Sequence, residues 1–362
     1  MAENNTILQP GASIKPKVSE DDVKEILSEV YGLKCMSIKE LNGYDDNNYY
    51  VKVDETCNNN YIDRVNEDGY TLKVINSLES TNPQFFEAQD ELLIHLDKKG
   101  VRCPKPVQNK NGRYYIIKDF SSGRHLVRLL EFITGSILHQ VPSSMDLFYQ
   151  VGQYVAKLDE ALKDFHHPAY DTHKSLWMME SVPQLTQFLF AITDDSRKKL
   201  VESVIAEFSK KISPLWPQFE KRMIHGDFNE QNILVDQKDG KWFIKAILDF
   251  GDSHLACCLF ELAITMAYMM IEGKSMDAGG YVLAGYTSIR KLSSQECNLL
   301  KVCIAGRLCQ SLVIGAYSIL QDPGNSYILT TAKAGWNLLE DLWAQPEEEL
   351  LKHWTSFQDP TQ

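Results

Sequence analysis

The 362-residue sequence is short of positive charge: 37 lysines and arginines face 49 aspartates and glutamates, a formal net charge of −12. A surface that follows nucleic-acid phosphates needs the opposite balance, so no nucleic-acid partner is expected. Eight cysteines stand at 35, 57, 103, 257, 258, 297, 303 and 309, and no two form a C-x-x-C pair. Scattered thiols of this kind predict a reduced, cytoplasmic setting without a disulfide framework. The opening residues, Met1–Lys17, lack the apolar core of a secretory leader and the arginine-rich pattern of an import peptide. A clean membrane-length run is also missing. The apolar stretch Leu255–Ile271 spans 17 residues but carries Glu261 near its middle, so a buried core helix is expected and no membrane partner.

Hydrophobic residues make up 44% and charged residues 24% of the chain, ordinary globular usage, and the length allows about two domains. Residues 1–16 read as a disordered lead. Residues 17–132 read as a strand-rich unit, entered by a helix that Ser19 caps, with Glu20, Asp21 and Asp22 in its first turn. Strands are predicted at Tyr49–Val53, Tyr70–Ile75, Tyr114–Lys118 and His125–Phe132, and a helix from Asn82-Pro83 to Gly100. From 133 to 362 the texture turns helical. Helices are predicted at Ser143–Phe165, Pro183–Ile192, Ser196–Trp216, Cys258–Ile271, Ser294–Leu320 and Tyr327–Trp343, interrupted by short strands at Asn232–Val235 and Trp242–Leu248.

Chemistry concentrates in two segments. Ile224-His225-Gly226-Asp227-Phe228-Asn229-Glu230-Gln231-Asn232 sets an aspartate five positions before an asparagine, with an apolar strand directly after. Downstream, Ala246-Ile247-Leu248-Asp249-Phe250-Gly251-Asp252 puts Asp249 at the exit of a second apolar strand, followed by a glycine. Phosphoryl transfer needs this division of labour: one carboxylate to take the proton of an attacking hydroxyl, and separate carboxylate and amide oxygens to hold magnesium.

These two motifs, HGDFNEQNIL and ILDFGD, resemble the motif pair of the aminoglycoside phosphotransferase and choline kinase family, relatives of the protein kinases. The likeness extends over GYDDNNYYV at 43–51, AKLDEALKDFHHP at 156–168, ELAITMAYMMIEGKS at 261–275 and GRLCQSLVIGAYS at 306–318. It implies an α+β, protein kinase-like fold of two lobes, a small β-rich one and a larger, mainly helical one. It also implies Mg2+ and GTP as phosphoryl donor, with ATP possible, acting on a small hydroxylated amino acid that carries two ammonium groups. By position, the resemblance makes Asp227 the catalytic base, Asn232 and Asp249 the metal ligands, and His225 a brace for the loop.

In the strand-rich unit, Lys73 alternates with Leu72 and Val74 and resembles the lysine that reaches nucleotide phosphates. Its acidic partner would be Glu87 or Glu91, one turn apart on the next helix, with Glu87 favoured. Arg128-Leu129-Leu130-Glu131-Phe132 would be the hinge that reads the purine edge, which brings in Glu131 as a nucleotide-binding residue. The nucleotide loop Gly43-Tyr44-Asp45-Asp46-Asn47-Asn48 has one glycine where phosphate cradling prefers several, and its two asparagines suit a tight hairpin.

For the acceptor, Asp252, Glu261 and Arg307 are candidates. Glu261 either braces the catalytic loop or meets substrate, and Arg307 either holds a substrate carboxylate or pairs with Glu261. Asp159 is expected to face solvent and Trp177 to pack in the core. Gly273-Lys274-Ser275 lacks the earlier glycine of a P-loop, and His254 with Cys257 and Cys258 is a poor zinc set. Two rivals remain open: a kinase for choline, ethanolamine or another amino alcohol, and a nucleotide-binding scaffold without turnover.

Overall fold

The structure is a computed structural model, and it describes residues 14–360 except 42, 44, 45 and 322–331. Most of the expected lead, and Tyr44 and Asp45 of the nucleotide loop, lie outside the described residues. The chain divides into two compact units, one ending at Thr134 and the other starting at Gly135.

The first unit opens with helix α1 (Glu20–Glu25), closed at its start by a capping box. The Ser19 hydroxyl accepts from the Asp22 amide at 3.1 Å, and the Asp22 carboxylate accepts from the Ser19 amide at 2.9 Å. Five antiparallel strands follow: β1 (Leu33–Leu41), β2 (Asn47–Cys57), β3 (Tyr70–Val74), β4 (Tyr115–Phe120) and β5 (Gly123–Glu131), in the sheet order β1-β2-β3-β5-β4. Alternation sorts β3 cleanly: Tyr70, Leu72 and Val74 are buried, while Thr71 and Lys73 occupy the other face. The buried set packs with Val23, Ile26, Leu27, Val51 and Leu129 into one core. Helix α2 (Pro83–Lys98) has proline at its first position and ends before Gly100, whose φ is +78°. Asn47 and Asn48 already belong to β2, paired with Val74 and Lys73, so they extend a strand rather than form a tight turn.

The second unit is mainly helical, with α3 (Met145–Leu162), α4 (Asp195–Lys211), α5 (Cys258–Gly273), α6 (Met276–Thr287), α7 (Ser294–Gln321), α8 (Ala332–Ala344) and α9 (Glu347–Thr355). Two small sheets interrupt it. Strands β6 (Ser136–Ile137), β8 (Ile233–Lys238) and β9 (Lys241–Ile247) form one, and β7 (Arg222–Ile224) with β10 (His254–Ala256) forms the other. The β8–β9 hairpin turns at Asp239-Gly240, both with positive φ, as a two-residue turn requires. Met179–Ala191 winds as a 3₁₀ run with Pro183 inside it rather than as an α-helix.

Helix α5 is buried on all sides from Cys258 to Met270, which makes it the axis of this unit. Ser294–Leu320 within α7 is long and apolar enough to cross a membrane by length and composition, but 78% of its most apolar window lies buried inside the unit. Arg307 and Gln310 are buried within it.

Candidate active site

Strands β7 and β10 run antiparallel with Ile224 opposite His254, so the residues leaving β7 lie beside those entering β10. The turn out of β7 is tightly specified. His225 is fully buried; its Nδ1 accepts from the Asp227 amide at 3.2 Å, so the ring proton sits on Nε2, which donates to the Leu248 carbonyl at 2.8 Å. Burial also lowers the imidazole's pKa and keeps it neutral. Gly226 follows with φ +82°, and a Cβ there would stand 2.3 Å from the Asp252 carbonyl oxygen, so the position demands glycine. Its amide donates to Glu261 Oε2 at 3.1 Å. Glu261 is fully buried near the start of α5, its acidity weakened to a pKa of about 8 by burial and by Asp159, with the backbone amides of Gly226 and His225 opposing. Glu261 therefore braces the loop.

Asp227 is held by three side chains. One carboxylate oxygen accepts from Arg307 Nη2 at 2.8 Å, and the other from Asn229 Nδ2 at 2.9 Å and Asn232 Nδ2 at 3.0 Å. Asn229 Oδ1 in turn accepts the amides of Gln231 and Asn232 at 2.8 and 3.1 Å, which closes the loop on itself. Arg307 is 1% exposed. Its Nη1 donates to the Trp177 carbonyl at 3.2 Å, and its guanidinium lies 5.1 Å from the Trp177 ring centre and 5.3 Å from that of Tyr268. One turn further along α7, Gln310 Nε2 donates to the carbonyls of Leu176 and Met178, both at 2.8 Å. Helix α7 thus grips three consecutive carbonyls, and Arg307 is committed to Asp227 rather than to Glu261. Trp177, expected in the core, is half-buried against that guanidinium.

Asn232 and Asp249 are brought together by the hairpin. Ile233 pairs with Ile247, and the Leu248 amide donates to the Asn232 carbonyl at 2.8 Å. Asn232 spends its amide nitrogen on Asp227, also reaching the Asp227 carbonyl at 3.0 Å, so its oxygen is the atom it can offer a cation. Asp249 has φ +53°, a strained left-handed conformation for a residue with a side chain. Its carboxylate is exposed, with the Gly251 amide donating to Oδ1 at 3.3 Å. Two hard oxygen donors carried at the same end of one hairpin fit Mg2+, which takes few protein ligands and completes its shell with water and phosphate.

Asp159, expected at the surface, is fully buried on α3. Its carboxylate accepts from the Tyr286 hydroxyl at 2.6 Å, and burial raises its pKa to about 7. The signal was its place among Val151, Val155 and Leu162 at helical spacing.

In the first unit, Lys73 lies on β3 opposite Asn48 and Arg128. Glu87 is exposed and accepts from the Tyr115 hydroxyl at 2.8 Å, and Glu91 is exposed too. The buried carboxylate of α2 is instead Asp90, paired with the buried Arg128. Its helical phase with Phe86 and Leu93 was the missed signal. Of residues 128–132, expected as a hinge, 128–131 are paired in β5, where the Glu131 amide donates to the Lys105 carbonyl at 2.8 Å, and the Phe132 amide donates to the Gly69 carbonyl at 3.0 Å. The Glu131 side chain is half-buried, its pKa raised by burial and partly restored by Lys105. Asp46 of the nucleotide loop accepts from the Asn76 backbone and side-chain amides at 2.8 and 3.1 Å.

Hydroxylysine kinase of Xenopus laevis is 32% identical over 99% of this chain and 98% of its own length. Among solved structures, a microcompartment-associated aminopropanol kinase superposes with a TM-score of 0.69 at 18% identity, covering 90% of this chain and 98% of its own. The GDP complex of aminoglycoside 2'-phosphotransferase-IIIa gives a TM-score of 0.58 at 15% identity, covering 91% and 99%. Both place the chain in the protein kinase-like fold of two lobes. The model of the phosphotransferase enzyme family matches residues 37–292, so the chain belongs to that family and is a small-molecule kinase that phosphorylates an alcohol.

Proposed function

We propose that this kinase transfers the γ-phosphoryl group of GTP to the hydroxyl of 5-hydroxy-L-lysine, in the cytoplasm, with Asp227 as the base. The observation that carries the reading is the Asp227 carboxylate, fixed by Arg307, Asn229 and Asn232. A carboxylate held on both oxygens cannot rotate away. It can receive the hydroxyl proton as the acceptor oxygen attacks phosphorus, which is how such residues act in phosphoryl transfer. Asn232 and Asp249 would hold Mg2+, which would supply positive charge against the phosphates of the donor. In the first unit, Lys73 on β3 is the residue proposed to meet nucleotide phosphate. His225, neutral and locked between Leu248 and Asp227, positions the loop and moves no proton. The substrate assignment rests on full-length similarity to hydroxylysine kinase; solved structures of this fold include both a GDP complex and an AMP-PNP complex, and GTP is proposed on the resemblance of the motif pair and its flanking segments. Glu261 and Arg307 are committed inside the protein, and of the three acceptor candidates Asp252 is the one proposed to meet an ammonium group.

The test is nucleotide consumption with Mg2+ and either GTP or ATP, offering hydroxylysine, lysine, choline or ethanolamine. Turnover with hydroxylysine and not lysine is the expected result. Consumption with choline or ethanolamine alone overturns the substrate, and equal or better turnover with ATP overturns the donor. Tight nucleotide binding without acceptor-dependent turnover overturns the catalytic reading. Asp227→Asn should lower the rate by roughly 10²–10⁴-fold, the usual contribution of a general base, in protein that still melts cooperatively but at a lower temperature, because the buried Arg307 loses its carboxylate partner.

A further inference from the structure

We propose that His139, Glu230 and Glu272 form a second cation site, for a transition-metal dication of the Zn2+ type, that fastens the catalytic loop to the far end of α5. Each residue offers one ligand atom, and these atoms lie within 4.8 Å of one another. His139 follows β6, Glu230 stands between Asp227 and Asn232, and Glu272 closes α5.

The internal contacts leave this cluster unbalanced. His139 Nδ1 lies 2.7 Å from Glu272 Oε2, an ion pair complete in itself if the imidazole is protonated. The Ser143 hydroxyl adds a 3.4 Å contact to the other Glu272 oxygen. Glu230 has no such partner. It is 4% exposed, its carboxylate is held only by its own backbone amide and by Gln231 Nε2 at 3.5 Å from one oxygen, and Oε2 is buried with no hydrogen bond among the described residues. A buried carboxylate oxygen without a partner is costly, the more so beside a second carboxylate. A dication would replace the imidazole proton, bind both carboxylates and occupy that vacant oxygen.

The donor set selects the ion. One imidazole nitrogen and two carboxylate oxygens suit Zn2+ or a neighbouring transition ion, whereas the all-oxygen pair of Asn232 and Asp249 suits Mg2+. The consequence is mechanical. Glu261, near the start of α5, already holds Gly226 at 3.1 Å; eleven residues further, about 16 Å along the helix, Glu272 would hold Glu230 through the metal. One rigid helix would then brace both ends of the segment that carries Asp227. Elements joined this way are adjacent before any ion binds, since the His139 amide donates to the Glu230 carbonyl at 3.3 Å.

The experiment titrates chelator-stripped, full-length protein with ZnCl2, reading stoichiometry by calorimetry and stability by thermal melting. The wild type should bind one equivalent more than His139→Ala or Glu272→Gln, with a rise in melting temperature that both variants lack. Asp249→Ala should keep that equivalent and the rise. Equal zinc uptake by wild type and both variants overturns the site, as does loss of the equivalent in Asp249→Ala alone. Co2+ in place of zinc should give a spectrum without thiolate-to-metal charge transfer, since thiolate bands would assign the ion to cysteine. Because His139 is half-exposed, its variant should melt with the wild type in chelator. Should it fail to fold, Glu230→Gln serves: it should raise the stability of the metal-free protein and abolish the zinc response, and zinc binding retained there overturns the proposal.

Discussion

At the residue scale, Asp227 and Arg307 define the site. Arg307 stands eighty positions after Asp227, and only its intrusion into an apolar helix marks it in the sequence. A guanidinium in such a place can serve a substrate carboxylate, an internal acid or a base, and sequence spacing does not choose among them. The fold chooses: Nη2 lies 2.8 Å from Asp227, and Nη1 is taken by the Trp177 carbonyl. The consequence is measurable. Arg307→Lys keeps the charge but cannot hold Asp227 and Trp177 together, so kcat should fall about 10–100-fold, equivalent to roughly 1.4–3 kcal/mol, with KM for the acceptor nearly unchanged. An arginine that bound the substrate carboxylate would show the reverse, a raised KM with kcat preserved. Asp227, Asn232 and Asp249 were legible because one loop and one hairpin bring them together within about twenty residues. Asp90 was not, because Glu87 and Glu91 flank it and only helical phase separates a buried acid from two exposed ones.

At the scale of elements, long amphipathic segments could be read, whereas the glycine-bearing α6 and the three-residue strands β7 and β10 could not. Helix α6, Met276–Thr287, carries glycines at 279, 280 and 285, a composition that argues against a helix on propensity alone. Tertiary contact overrides it. A Cβ at Gly285 would lie 2.0 Å from the Tyr149 carbonyl, and one at Gly152 of α3 would lie 2.0 Å from the Val282 carbonyl. The two helices therefore meet backbone to backbone, and the glycines that weaken α6 in isolation permit its packing. Gly285→Ala, which should improve an isolated helix, is expected instead to destabilise the protein by about 1–3 kcal/mol through overpacking; chemical denaturation measures it. Strands β7 and β10, three residues each, offer no period to read, yet their pairing sets the loop that holds Asp227. The 3₁₀ run Met179–Ala191 resembles an α-helix in its apolar content, and Pro183 inside it is the one local warning.

At the scale of the whole molecule, the buried ionisable groups matter more than the net charge of −12. Four buried carboxylates are pushed up by burial: Asp90 to about 6, Asp159 and Glu230 to about 7, and Glu261 to about 8. Burial is the leading cause for each, and at Asp90 it outweighs the attraction of Arg128. Unfolded, these acids titrate near 4, so above that pH the folded chain binds more protons through them, and each loses stability as pH rises toward its folded value. Two buried histidines and the half-buried His173 oppose them. His173 and His254 fall to about 4, and His225 is lowered, all chiefly by burial. Unfolded histidine titrates near 6.5, so their contribution is whole above that pH and is lost as pH falls below it. Between about pH 4.5 and 6.5 the two sets offset each other; above about 6.5 only the carboxylates still act. The melting temperature, followed in chelator so that no cation neutralises Glu230, should therefore change little between about pH 4.5 and 6 and decline from there toward pH 8. Glu261→Gln keeps an acceptor for the Gly226 amide and removes the group with the highest folded value, so its decline above pH 6 should be visibly shallower. An equally steep decline in that variant would mean that Glu261 is already ionised at neutral pH, and would return its charge to the site around Asp227.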